Sequence, residues 1–269
     1  MLFNTTKRML IACVAILFTA ISCDSSSDNN PELDAISIQT ATVDGYTVEL
    51  LANNSLTTGY NQLFWKVTSG EDMVDISAIA VSPIMHMTTM SHACPYDQPT
   101  KMDEYDGVFS SMAVFIMATS EMGYWEISFD IETQTGATIS GAMPIDVESS
   151  WRLNSVKSTD GTTSYYVSWY TPEQPKTGNQ ELSFMVHKRE TMMSFPAVAD
   201  AELDVYPYMD MGGGEGHSTT FENPAAAGSG MYTGSINYSM SGTWTTDVTL
   251  IVGGDELEVP TFEYSVQAQ

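Results

Sequence analysis

The chain has 269 residues, of which 34 are acidic and only 9 are lysine or arginine, for a formal net charge of −25 at pH 7. Phosphate backbones and anionic lipid surfaces repel so acidic a chain, which argues against nucleic acid as a partner. Apolar residues make up 43% of the chain, enough for a sizeable core.

In chain order, Lys7-Arg8 precede an apolar run from Met9 to Ile21, the form of a secretory signal and too short to span a bilayer comfortably. The run ends in Ala20-Ile21-Ser22-Cys23, which resembles a bacterial lipobox. That resemblance implies a lipoprotein signal peptide over residues 1–22 and acylation of Cys23 as the new N-terminus. Residues 23–34 are a polar tether too poor in apolar side chains to fold. The tether is similar to that of Bacteroidota lipoproteins, in which early acidic residues favour export. The expected location is therefore the cell envelope, on an outer-membrane lipid anchor, facing the periplasm or the cell surface. Cys13 leaves with the leader and Cys23 carries lipid, so Cys94 has no partner for an intramolecular disulfide. A lone thiol in an oxidising envelope must be buried or otherwise protected.

From residue 35 onward, short runs rich in β-branched and aromatic residues are bounded by turn formers. Examples are Ile36–Val43, Tyr46–Leu51, Gln62–Val67, Val108–Met117 and Tyr124–Ile131. A second series follows, with Trp151–Val156, Thr163–Tyr170, Gln180–Val186, Gly230–Met240, Trp244–Val252 and Glu256–Pro260. No stretch after the leader sustains helical periodicity, so the expected class is all-β. The two series align: Thr58-Gly59 with Thr177-Gly178, Gly107–Met117 with Gly230–Met240, and Gly123-Tyr-Trp125 with Gly242-Thr-Trp244. Correspondences in one order predict a tandem duplication, with immunoglobulin-like β-sandwich domains over 35–148 and 149–269. The carboxylates of Asp103-Glu-Tyr-Asp106 lack calcium-loop spacing and read as a solvated turn.

The densest chemistry lies in Pro83–Pro95, which holds Met85, Met87, Met90, His86, His92 and Cys94. Pro207-Tyr-Met209-Asp-Met211 and the later His217 repeat its outline. Side chains two apart on a strand share a face, so Met85 pairs with Met87 and Met209 with Met211. Thioether, imidazole and thiolate donors suit Cu(I) and suit calcium or magnesium poorly. One candidate site therefore comprises Met85, Met87, Met90, His92, Cys94 and Met117, and a second Met209, Met211, His217 and Met240. The plainer reading is that these methionines fill sandwich cores, which methionine does readily. His187 reads as a strand-end surface histidine, and Trp125 and Trp244 as core anchors. No nucleophile elbow, zinc-protease pair or phosphate loop appears, and the chain is not expected to be an enzyme.

A Pro-x-Met-x-Met strand, then Gly-x-Tyr/Phe leading into a strand that ends in Met, then Gly-x-Trp, resembles the YtkA-like domain, related to the FixH-like group. Both halves carry the outline. The resemblance implies an immunoglobulin-like sandwich at the cell envelope associated with copper or oxidase assembly. The functional expectation is a lipid-anchored envelope protein that binds or buffers copper as its cofactor or cargo. The alternative is a non-catalytic interaction or scaffold module that engages another envelope protein.

Overall fold

The structure is a computed structural model and describes residues 33–269. The expected signal peptide, the lipidation residue Cys23 and the tether as far as residue 32 lie outside the described residues. Among the described residues the chain is all β, without a helix.

The first sandwich comprises β1 (Ile36–Val43), β2 (Tyr46–Ala52), β3 (Gly59–Ser69), β4 (Asp72–Met73), β5 (Ile76–Met87), β6 (Ser91–Ala93), β7 (Thr100–Lys101), β8 (Phe109–Phe115), β9 (Gly123–Thr133) and β10 (Thr138–Ile145). One sheet runs β1-β2-β3-β8-β7, with β4 paired to β3, and the other runs β10-β9-β5-β6. The second sandwich comprises β11 (Leu153–Lys157), β12 (Ser164–Thr171), β13 (Gly178–Arg189), β14 (Glu202–Gly212), β15 (Glu215–His217), β16 (Thr220–Gly228), β17 (Met231–Tyr238), β18 (Gly242–Val252) and β19 (Asp255–Val266). Its sheets run β11-β12-β13-β17-β16 and β15-β14-β18-β19. With β4 set aside, the two orders coincide strand for strand. Each is the antiparallel immunoglobulin-type arrangement with one further strand at the N-terminal edge.

Period-two patterning explains why these segments pair as they do. Along β9, Trp125, Ile127, Phe129 and Ile131 point inward while their neighbours face out. They meet Trp65 and Phe115 from the opposite sheet in one core. The second core gathers Trp169, Phe184, Tyr232, Trp244 and Phe262. Each large side chain buried in this way contributes about 1.5–3 kcal/mol relative to exposure. Polar groups in the second core are paired, as where Tyr238 donates its hydroxyl hydrogen to Tyr264 at 3.0 Å and Thr246 meets Tyr264 at 2.7 Å.

The two sandwiches meet through the outer faces of the sheets that contain β3 and β12. Tyr60 packs edge-on against Tyr170 with ring centroids 4.4 Å apart, and its backbone N–H donates to Ser168 Oγ at 2.9 Å. Arg152 reaches across to Thr57 Oγ1 at 2.9 Å. Burial, reinforced by the neighbouring Tyr170, pushes the Tyr60 hydroxyl well above its ordinary range. Further along the junction, Ala93 N–H donates to the carbonyl of Met192 at 2.9 Å.

One expectation is corrected here: His187 is buried, not a surface histidine. The segment after β13 folds back over it, with Lys188 N–H donating to Pro196 and Val198 N–H to Val186. Burial holds its imidazole neutral, with the pKa pushed down to about 4.

Candidate metal centre

The centre is built outward from His92, on the short β6, which pairs antiparallel with β5 so that His92 lies opposite Met85. The His92 Nδ1 lies 2.8 Å from the carbonyl of Ala93. A carbonyl only accepts, so that contact places the proton on Nδ1 and leaves Nε2 as a bare lone pair. His92 Nε2 is enclosed and has no hydrogen-bond partner. The ring stands edge-on to Trp125, with centroids 5.5 Å apart at 84°. Trp125 is fixed in turn by donation from Nε1 to the Met117 carbonyl at 2.9 Å.

His92 borders a cavity of about 170 Å³ at the junction of the sandwiches. From the first sandwich, Met87, Met90 and Met117 line it; from the second comes Met192, on the segment between β13 and β14. Ile116, Tyr166 and Phe195 complete the apolar walls, and Arg189 lies at the boundary. Met90 is 51% exposed and Met117 37%, so the thioethers on the first-sandwich side reach solvent. The side chains bordering the cavity offer one imidazole and four thioethers. Among the described residues no three His, Cys, Asp or Glu side chains converge. This chemistry suits a soft monovalent ion such as Cu(I). The charge on Arg189 opposes any cation, and a divalent one twice as strongly.

Met85 and Cys94, grouped with these residues from the sequence, are buried in the core beside His92 and do not line the cavity. Met85 is 0% exposed and packs in the first core, on the strand between its cross-strand partners His92 and Trp125. Cys94 is buried in the same core, and desolvation pushes its thiol well above the ordinary range, so it stays protonated. His86 turns to the outer face, stacked on Tyr124 and 3.6 Å from Glu126. Met192 escaped the sequence reading, although the cluster Met192-Met193 close to His187 was the signal that could have found it.

Gly123 shapes the floor of this region. A Cβ there would lie 3.0 Å from Met85 Cε and from Met87 Cγ, and 2.7 Å from the His86 carbonyl oxygen. Only glycine lets both methionines pass over β9. Gly242 has the same relation to Met209, whose Cε would lie 2.6 Å from an added Cβ.

The second sandwich repeats the scaffold. Gly213-Gly214, both with positive φ, close the tight hairpin between β14 and β15 and bring His217 opposite Met209. The His217 Nδ1 lies 2.9 Å from the Ser218 carbonyl, and its ring stands at 84° to Trp244 with centroids 5.4 Å apart. Trp244 Nε1 donates to the Met240 carbonyl at 3.0 Å. Here the thioethers are open: Met211 is 59% exposed and Met240 44%. His217 and Met209 are half-buried.

Among solved structures the chain has distant likenesses. The Escherichia coli adhesin FdeC is 13% identical with a TM-score of 0.27, over 85% of this chain and 65% of the adhesin chain. Domains 5-6 of the S-layer protein SbsC are 7% identical with a TM-score of 0.33, over 87% of this chain and 99% of that one. The Bacteroides ovatus mixed-linkage glucan protein SGBP-B is 12% identical with a TM-score of 0.22, over 87% of this chain and 64% of that one. Comparison with curated proteins returns no match. The YtkA-like family model matches residues 159–249, which run from the approach to β12 through most of β18 in the second sandwich.

Proposed function

We propose that this chain is a lipid-anchored envelope protein of two YtkA-like domains that binds Cu(I), with its principal centre at His92, Met87, Met90, Met117 and Met192. The observation that carries this reading is the His92 Nε2 lone pair, enclosed without a partner at a cavity lined by four thioethers. An orphaned buried nitrogen costs about 1–3 kcal/mol, and a coordinated ion relieves that cost. The match of the second sandwich to the YtkA-like family, together with the shared strand order, supports reading the first sandwich as a second copy. The His217 cluster is the outer, more exposed version of the same arrangement. The role that follows is capture or buffering of copper, without catalysis.

The test is a competition titration against a chromophoric Cu(I) chelator under anaerobic, reducing conditions. Replacing Met87, Met117 and Met192 together by leucine keeps apolar bulk, at a packing cost usually below about 1.5 kcal/mol per site. The triple variant should keep the parent's far-UV spectrum and lose one equivalent of tightly held Cu(I), and His92→Gln should lose the same equivalent. If both folded variants match a parent that binds Cu(I), these methionines serve only packing and the His92 centre falls. If the parent takes up no Cu(I), an interaction or scaffold role replaces the copper reading.

A further inference from the structure

Among the described residues, two buried side-chain nitrogen or oxygen atoms have no hydrogen-bond partner, His92 Nε2 and His187 Nδ1. The first belongs to the centre above. The second lies on β13, where Phe184 and Val186 point into the second core while Met185 and His187, on the other parity, line a cleft of about 610 Å³ between the sandwiches. Met231 on β17 is the direct cross-strand partner of Met185 and lines the same cleft. Directly opposed residues of an antiparallel pair hold their Cβ atoms about 5 Å apart, so the two thioethers and the imidazole share one patch of sheet. Met112 of β8 faces the cleft from the first sandwich.

We propose that His187, Met185 and Met231, with Met112 from the opposite wall, form a second interior Cu(I) site, distinct from the His92 centre and from the exposed His217 cluster. The donors are one imidazole and three thioethers, a soft neutral set that matches a monovalent soft ion. Among the described residues no lysine or arginine lines this cleft, whereas Asp97 does, so the local charge favours a cation. The cleft is far larger than an ion. The metal therefore sits against the sheet of the second sandwich, and the remaining space admits a small exchange ligand. Phe195 lines both this cleft and the His92 cavity, which makes the two sites neighbours across the segment that follows β13. The proposal stands on its own residues and survives or fails independently of the His92 centre.

The experiment counts Cu(I) equivalents in the whole described chain, residues 33–269, by titration against the chromophoric chelator under reducing, anaerobic conditions. His187→Gln should lower the capacity by one equivalent relative to the parent, and Met185→Leu/Met231→Leu should do the same with the imidazole in place. His92→Gln should remove a different equivalent, so that the His92→Gln/His187→Gln pair loses two. Circular dichroism and a thermal melt check each variant. Should His187→Gln fail to fold, the leucine pair decides. If the folded His187 and leucine variants retain the parent's capacity, the second site is overturned, whatever His92→Gln shows. If His92→Gln alone retains the parent's capacity, the second site stands and the first centre falls.

Discussion

At the scale of single residues, exposure separates sulfur atoms that the sequence alone treats alike. Met90 is 51% exposed and Met85 is 0% exposed. Under mild peroxide, Met90 and Met117 should become sulfoxides well before Met85, as peptide mass spectrometry would resolve, and Cu(I) capacity should fall with them. Cys94, buried and protonated, should resist alkylation in the native protein and react at the rate of unfolding; rapid native labelling would contradict its placement. Gly123→Ala should destabilise by about 1–3 kcal/mol, because the new methyl meets a backbone carbonyl that cannot move aside. A thermal melt reads that loss, and weaker Cu(I) binding should accompany it as Met87 is displaced. The soft residue types were legible from the sequence, but the division between core and cavity was not. Met85 and Met87 share a face by parity, yet Met87 lies at the end of β5 on the rim of the core, so Met85 is buried while Met87 is half-buried and borders a cavity.

At the scale of elements, strands with strong alternation or aromatic content were legible, among them β1, β2, β3, β9, β12 and β18. Strands β10 and β16 were not read. The sequence of β10, Thr-Ile-Ser-Gly-Ala-Met-Pro-Ile, and of β16, Thr-Phe-Glu-Asn-Pro-Ala-Ala-Ala-Gly, are poor in strand formers, and both carry proline. Both lie at sheet edges, where a missing backbone donor faces outward and pairing with one neighbour imposes the conformation. The glycine run before His217 gave no register from sequence, because glycine permits either slack or a turn. In the structure it is an ordered hairpin, with Gly213 and Gly214 at φ of 67° and 84°. Gly214→Ala meets no neighbouring atom, so its cost is the left-handed backbone alone, about 1–2 kcal/mol. Such a variant should melt slightly earlier and disturb the His217 cluster while leaving uptake at His92 unchanged.

At the scale of the molecule, the alignment of two series in the sequence anticipated the repeated strand order, but nothing in it disclosed that the principal cavity lies at the junction. Met192 and His92 are far apart in the chain and meet only because the sandwiches pack through β3 and β12. Each sandwich has its own core, so residues 35–148 and 149–269 expressed separately should each unfold cooperatively. The first fragment should nevertheless hold Cu(I) more weakly than the intact chain, for want of Met192, and adding the second fragment in trans should recover part of the difference. Equal affinity in fragment and whole would assign Met192 a packing role only.

The contact between Ala93 N–H and the Met192 carbonyl joins the two sandwiches beside the His92 cavity, where an ion would be shared between them. Thioethers do not titrate, so among these donors acid would compete only for His92, whereas hinging the sandwiches apart would remove Met192 at a stroke. Were an ion held there, its escape would depend on a mechanical coordinate as well as on pH, and a partner that wedges open this seam would act as an unloading key.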